Sequence, residues 1–144
     1  MPLVTLLLNV LWLVFGGIWM AAAWLVAAII MALTIIGLPW ARSALTIGVY
    51  TLLPFGHTIV DRDPRGTGPL GLVGNLVWLV LAGWWLALGH AVTAAGLAVT
   101  IVGLPFAWAH LKLALLALWP IGKEVVPAGH TGRPGALPHY ARVR

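Results

Sequence analysis

Two stretches of the chain, residues 1–41 and 66–111, contain no Asp, Glu, Lys or Arg. The hydrocarbon core of a bilayer is about 30 Å thick and takes roughly 20 apolar residues to cross as helix. Each stretch is long enough to do so. Of the 144 residues, 8% are charged and 62% are hydrophobic, whereas a soluble globular domain carries about 25% charged residues. Too little polar surface remains to cover a globule in water. The chain therefore reads as an all-α integral membrane protein. A secretory signal peptide needs Lys or Arg ahead of its apolar run. None precedes this run, and the same kind of segment recurs in mid-chain, so the first segment reads as an uncleaved membrane helix.

The chain repeats itself at an offset of 66. Residues Asn9–Val60 align without a gap on Asn75–Val126, and 21 of the 52 pairs are identical. Asn9, Trp12, Gly17 and Trp19 meet Asn75, Trp78, Gly83 and Trp85. The phrase "TIIGLPWA" at Thr34–Ala41 meets "TIVGLPFA" at Thr100–Ala107, and Pro54 and Gly56 meet Pro120 and Gly122. Compositional bias would align Leu with Val but would not keep Asn, Trp, Gly and Pro in register, so this is an internal repeat.

Each repeat has a long apolar segment (Leu3–Ile36, Leu70–Val102), a Gly-Leu-Pro break and a shorter segment (Trp40–Leu53, Phe106–Trp119) closed by "PFG" or "PIG". A straight helix through a long segment would exceed about 45 Å, so it must tilt or kink. Gly16–Gly17, with Gly83 in the second copy, is the expected kink. The expected organisation is a first membrane repeat over 1–60, a polar Pro/Gly-rich linker over 61–69, a second repeat over 70–126 and a basic, disordered tail over 127–144. The tail holds Arg133, Arg142 and Arg144, with Lys123 just before it. The positive-inside bias then puts the C-terminus of a multi-pass protein in the cytoplasm. Two crossings per repeat make the repeats parallel, with the N-terminus and linker on that same side. One crossing per repeat makes them inverted, with the linker outside. The sequence favours the first arrangement.

The Gly-Leu-Pro phrase most simply stops one helix and starts the next, because Gly caps a helix end and Pro cannot continue it. A break at membrane depth has a second use. It frees backbone groups that are tolerated only where they line a wet cavity, and such ends coordinate ions in transporters. Thr34, Gly37, Pro39, Thr100, Gly103 and Pro105 are therefore candidates for an ion path. Arg42 and Lys112 on the short segments join them, either snorkelling to the interface or forming a basic ring that attracts anions. His90, inside the second long segment, is a candidate by its position alone. No partner for it is visible in the sequence, so a structural hydrogen bond is the simpler reading. Asn9 and Asn75 are expected to bond between helices. The nine tryptophans are expected to be mainly interfacial anchors. Small residues at Ala82, Gly89, Gly96 and Gly103, and the pairs Ala23–Ala27 and Ala28–Ala32, permit close helix packing.

Catalytic material is scarce. The only carboxylates are Asp61, Asp63 and Glu124, the five histidines lack ligand spacing, and there is no cysteine. No enzyme activity, cofactor or metal is expected. The net charge is +5, and six of the eight basic residues lie in loops and tail, which suits anionic lipid better than nucleic acid. The expected partners are the lipid bilayer, further copies of the chain and another membrane protein.

The runs "NVLWLVFGGIW", "TIIGLP", "LLPFG", "GNLVWLVLAGWWLALGH" and "TIVGLPFAWAHLKLALLALWPIG" resemble the YccF family of small inner-membrane proteins, from about Leu3 to Val126. The resemblance implies a bacterial inner-membrane location and duplicated copies of one membrane domain. It implies no particular chemistry. Two functions fit these observations: a homo-oligomeric channel or passive transporter for small ions, with its pore between subunits, or a structural or accessory membrane protein that transports nothing.

Overall fold

A computed structural model describes residues 2–61 and 68–129. The first repeat is α1 (Leu3–Trp12), a widened π turn (Leu13–Gly17), α2 (Ile18–Leu33), α3 (Leu38–Leu52) and strand β1 (His57–Asp61). The second is α4 (Gly68–Trp78), a π turn (Leu79–Gly83), α5 (Trp84–Ala98), α6 (Leu104–Leu118) and strand β2 (Lys123–Pro127). The π turns join their neighbours into apolar helices of 31 residues, Leu3–Leu33 and Gly68–Ala98. The all-α fold with two tandem repeats holds. The two strands are the addition, and they extend across the expected repeat boundaries, β1 to Asp61 of the linker and β2 to Pro127 of the tail.

Each repeat is a helical hairpin, α2 packed along α3 and α5 along α6. The twice-written phrase is the hairpin turn. Thr34 Oγ1 donates to the Met31 carbonyl at 2.9 Å and accepts from the Gly37 N–H at 3.2 Å. Thr100 does the same with Leu97 and Gly103, at 3.1 and 3.0 Å. A Cβ at Gly103 would lie 2.1 Å from the Leu97 carbonyl oxygen, and one at Gly37 2.6 Å from that of Met31, so the close approach requires glycine. Pro39 and Pro105 follow in the first turn of α3 and α6, where a missing N–H costs nothing. The turn thus satisfies its own polar groups. Thr100→Ala should lower stability by roughly 1 kcal/mol, read as a downward shift of a few degrees in thermal unfolding in detergent.

Lipid is as apolar as a protein interior, so packing and hydrogen bonds rather than water exclusion hold helices together in a membrane. The repeated polar residues supply those bonds. Asn9 Nδ2 donates to the Phe55 carbonyl at 3.0 Å and Oδ1 accepts from the Phe55 N–H at 3.1 Å. Asn75 treats Ile121 identically, at 2.9 and 3.0 Å. Trp12 and Trp78 Nε1 donate to the carbonyls of Thr51 and Ala117, both at 2.7 Å, near the C-terminal ends of the short helices. The asparagines therefore bond not helix to helix but to the backbone of the turn that closes their own hairpin, because one amide side chain matches a backbone N–H and C=O together. Those turns pivot on Gly56 and Gly122, with φ of +95° and +96°.

The hairpins pack head to tail. Phe106, in the first turn of α6, packs against Phe15 and Phe55 at the open end of the first hairpin, with centroids 5.2 and 5.9 Å apart. Trp40, in the first turn of α3, lies against Gly74 at the open end of the second. β1 and β2 pair antiparallel with Ile59 opposite Val125, and those two residues are equivalent in the repeat. Trp24 and His90, also equivalent, touch each other. An approximate twofold axis therefore passes through both pairs, and the two repeats are inverted. The sequence favoured parallel repeats because a two-helix unit followed by a short loop leads to that arrangement. The chain instead runs from the open end of one hairpin to that of the other through β1, and β2 runs back.

Trp12, Trp24, Trp78, Phe106, His90 and His110 are fully buried where the hairpins meet. These three tryptophans and Trp40, expected at the interface, are thus core residues. Trp19, Trp84 and Trp108 are exposed.

Candidate functional site

Two polar features stand out in this apolar molecule. The first is a hydrogen-bonded chain on the twofold axis. Trp24 Nε1 donates to His90 Nε2 at 3.1 Å, and His90 Nδ1 lies 2.9 Å from His110 Nδ1. An indole N–H only donates, so His90 accepts at Nε2 and, as a neutral ring, carries its proton on Nδ1 toward His110. His110 then accepts at Nδ1 and bears its proton on Nε2. That atom is buried beside the Phe15 backbone, with no hydrogen bond of good geometry among the described residues. It faces the kink of the first long helix, where Phe15 and Gly16 leave helical geometry and Gly16 takes φ +124°. A Cβ at Gly16 would sit 3.1 Å from His110 Nε2. The repeat explains the kink. The counterparts of His110 and Gly16 are Ala44 and Ala82, so the larger ring in one copy faces a glycine where the other copy pairs two alanines. Trp12 stacks on His110 and Trp24 on Trp78, at 4.3 and 5.3 Å.

The second feature is a groove of about 580 Å³ on the flank that carries the strands. One wall is the face of α6 from Pro105 through Trp108 and Lys112 to Trp119. The other is Tyr50 with the segment from Pro54 to Asp61, so β1 runs beside α6. Lys123 closes the groove and pairs with Asp61. The Lys112 Nζ lies 5.6 Å from the centroid of the Trp108 ring. No carboxylate pairs with Lys112 among the described residues.

Comparison with known proteins places this sequence in a family. The model of the YccF inner membrane component domain matches residues 7–57 and again 73–123. The chain belongs to the YccF family. Relatives named inner membrane protein YccF, from Escherichia coli (strain K12) and Shigella flexneri, are each 37% identical over 126 residues, covering 83% of this chain and 85% of theirs. Both carry the name of an inner-membrane protein rather than of an enzyme. No solved structure matches the chain.

In this YccF chain the residues singled out from sequence fall into four places. Thr34, Gly37, Pro39, Thr100, Gly103 and Pro105 form the hairpin turns, with Pro105 also reaching the groove. Lys112 lines the groove, and Arg42 lies exposed on α3 at the position equivalent to Trp108. His90 lies in the interior. The sequence had given His90 no partner. Its partners are Trp24, which is its own repeat equivalent, and His110, twenty residues on. The signal was present in the alignment, since equivalent residues meet wherever a twofold axis crosses the interior. Among the described residues no three metal-ligating side chains cluster.

Proposed function

We propose that this YccF-family chain forms a homo-oligomeric passage for small ions in the inner membrane, with the strand-bearing flank facing the path and no enzymatic role. The observation that carries this reading is the position of β1 beside α6. If the hairpin helices cross the bilayer as a multi-pass bundle, a two-stranded ribbon with open edges lies at membrane depth, along with Asp61, Lys123 and Glu124. Open sheet edges are not tolerated against lipid, only against protein or a water-filled cavity. The interior of one chain is filled by aromatic rings, so a path belongs between copies. The ends of the ribbon suit this topology. Ala128 bonds back to Gly56 beside the N-terminal helix, so the end of β2 and the start of α1 share one side, the cytoplasmic one by the positive-inside bias. β1 ends and α4 begins at the opposite end. In this reading Arg42 and Lys112 flank the path, and the Thr34–Pro39 and Thr100–Pro105 turns hold its two mouths.

The test is ion flux through liposomes that contain only purified full-length protein. Flux is expected from the wild type and a loss of at least about tenfold from Lys112→Gln, the lower end of the range by which a charged cleft concentrates counter-ions. A folded protein with no flux, retained instead by a dedicated membrane-protein partner, would establish the accessory role in its place. The ribbon flank would then be the surface which that partner covers.

A further inference from the structure

We infer that the passage selects small monovalent inorganic anions over cations, and that Lys112 sets the preference. This rests on the reading of the flank as an ion path. The groove contains three groups of fixed charge: Lys112, Lys123 and Asp61. Asp61 and Lys123 neutralise each other as an ion pair. Lys112 is left over, resting on the Trp108 ring between exposed Leu111 and Leu115. An aromatic face holds an ammonium without neutralising it. Its neighbours along α6 are apolar and carry no countercharge, so its charge draws counter-ions into the groove.

On the other half of the flank Glu124 of β2, which packs beside α3, offsets Arg42 in net charge, so the excess positive charge is that of Lys112. Neither α3 nor α6 contains an Asp or Glu, and each contributes one cation, Arg42 or Lys112. The equivalent of Lys112 on α3 is Thr46, whose hydroxyl is spent on the Arg42 carbonyl of its own helix. Rings of Lys or Arg favour anions in pores. The Tyr50 and His57 side chains also line the groove, and both can donate a hydrogen bond to a partly dehydrated anion. One uncompensated lysine per groove suits a single negative charge, which points to halide-like ions rather than multivalent oxyanions.

The experiment measures reversal potential in liposomes of purified protein under a potassium chloride gradient. The wild type should prefer chloride to potassium by at least about tenfold. Lys112→Arg should keep that preference and Lys112→Gln should reduce it by at least about threefold. Lys112→Glu should reverse its sign. Size-exclusion profiles and the Lys112→Arg variant show that a change reflects charge and not misfolding. Potassium preference, absence of preference, or an unaltered preference in Lys112→Gln would overturn the inference while leaving the passage standing. Absence of any wild-type flux would overturn the passage and the selectivity with it.

Discussion

Replacing His90 by Leu should destabilise the protein by roughly 3 kcal/mol, whereas replacing His90 and His110 together should cost clearly less than the sum of the two single changes. The single change leaves two groups without partners in a fully buried place, the Trp24 N–H and His110 Nδ1. Each orphaned group costs about 1–3 kcal/mol, while removing both partners of a buried bond is far cheaper. His110→Leu alone strands the His90 Nδ1–H, but it also removes the unpartnered Nε2 and places a more flexible side chain beside Gly16. The double change leaves only the Trp24 N–H exposed to this penalty. The cycle should therefore show a coupling of about 1–2 kcal/mol in reversible unfolding from detergent micelles. Additive costs would show that the two rings act through packing alone. The polarity of the chain gives a second readout. Nitrogen NMR should find the His90 proton on Nδ1 and the His110 proton on Nε2, because an indole at one end fixes both tautomers. The same end makes the chain a lock and not a proton wire, since the Trp24 N–H donates and does not accept.

The sequence was most informative where one residue type answers a local need. The Thr-x-x-Gly-Leu-Pro turns were legible because a hydroxyl, a missing side chain and a missing N–H each do one job within six residues. The offset of 66 was legible because Asn, Trp, Gly and Pro cannot be exchanged for their neighbours. What stayed hidden was the relation between the two copies. Nothing in a repeat says whether its partner sits parallel or inverted, because that is decided by β1 and β2. Those strands are short, carry the charges of the linker region, and pair only with each other. Their alternation over His57–Asp61 was too brief to separate from a loop. The role of His90 was hidden for the same reason, since its partner Trp24 is a neighbour only once the copies are turned against each other. The asparagines were assigned the right chemistry and the wrong acceptor. Sequence shows that a buried amide must bond, but not that a turn 46 residues away will present a matching N–H and C=O.

That match makes Asn75→Ala the other substitution of large effect, at roughly 3 kcal/mol. Both bonds to Ile121 are buried, and truncation leaves its N–H and C=O unpaired where lipid and protein offer no substitute. Asn9→Ala should cost less, roughly 2 kcal/mol, because its bonds to Phe55 are only partly buried. The damage should travel in a defined direction. Ile121 stands two residues before Lys123, the first residue of β2 and the partner of Asp61. A loosened Ile121 therefore frees the end of the ribbon before it disturbs the α5–α6 hairpin, whose turn is held independently by Thr100 and Gly103. Hydrogen exchange should accelerate first over Lys123–Pro127 and its pairing partner His57–Asp61 in Asn75→Ala, with α5 and α6 retaining protection. Asn75→Asp separates geometry from charge, since it keeps the acceptor for the Ile121 N–H, loses the donor and buries a carboxylate. It should be at least as destabilising as Asn75→Ala at neutral pH and recover part of the loss in acid, where a protonated carboxyl again donates. Uniform loss of protection across all four hairpin helices in Asn75→Ala would show instead that the amide holds the bundle as a whole.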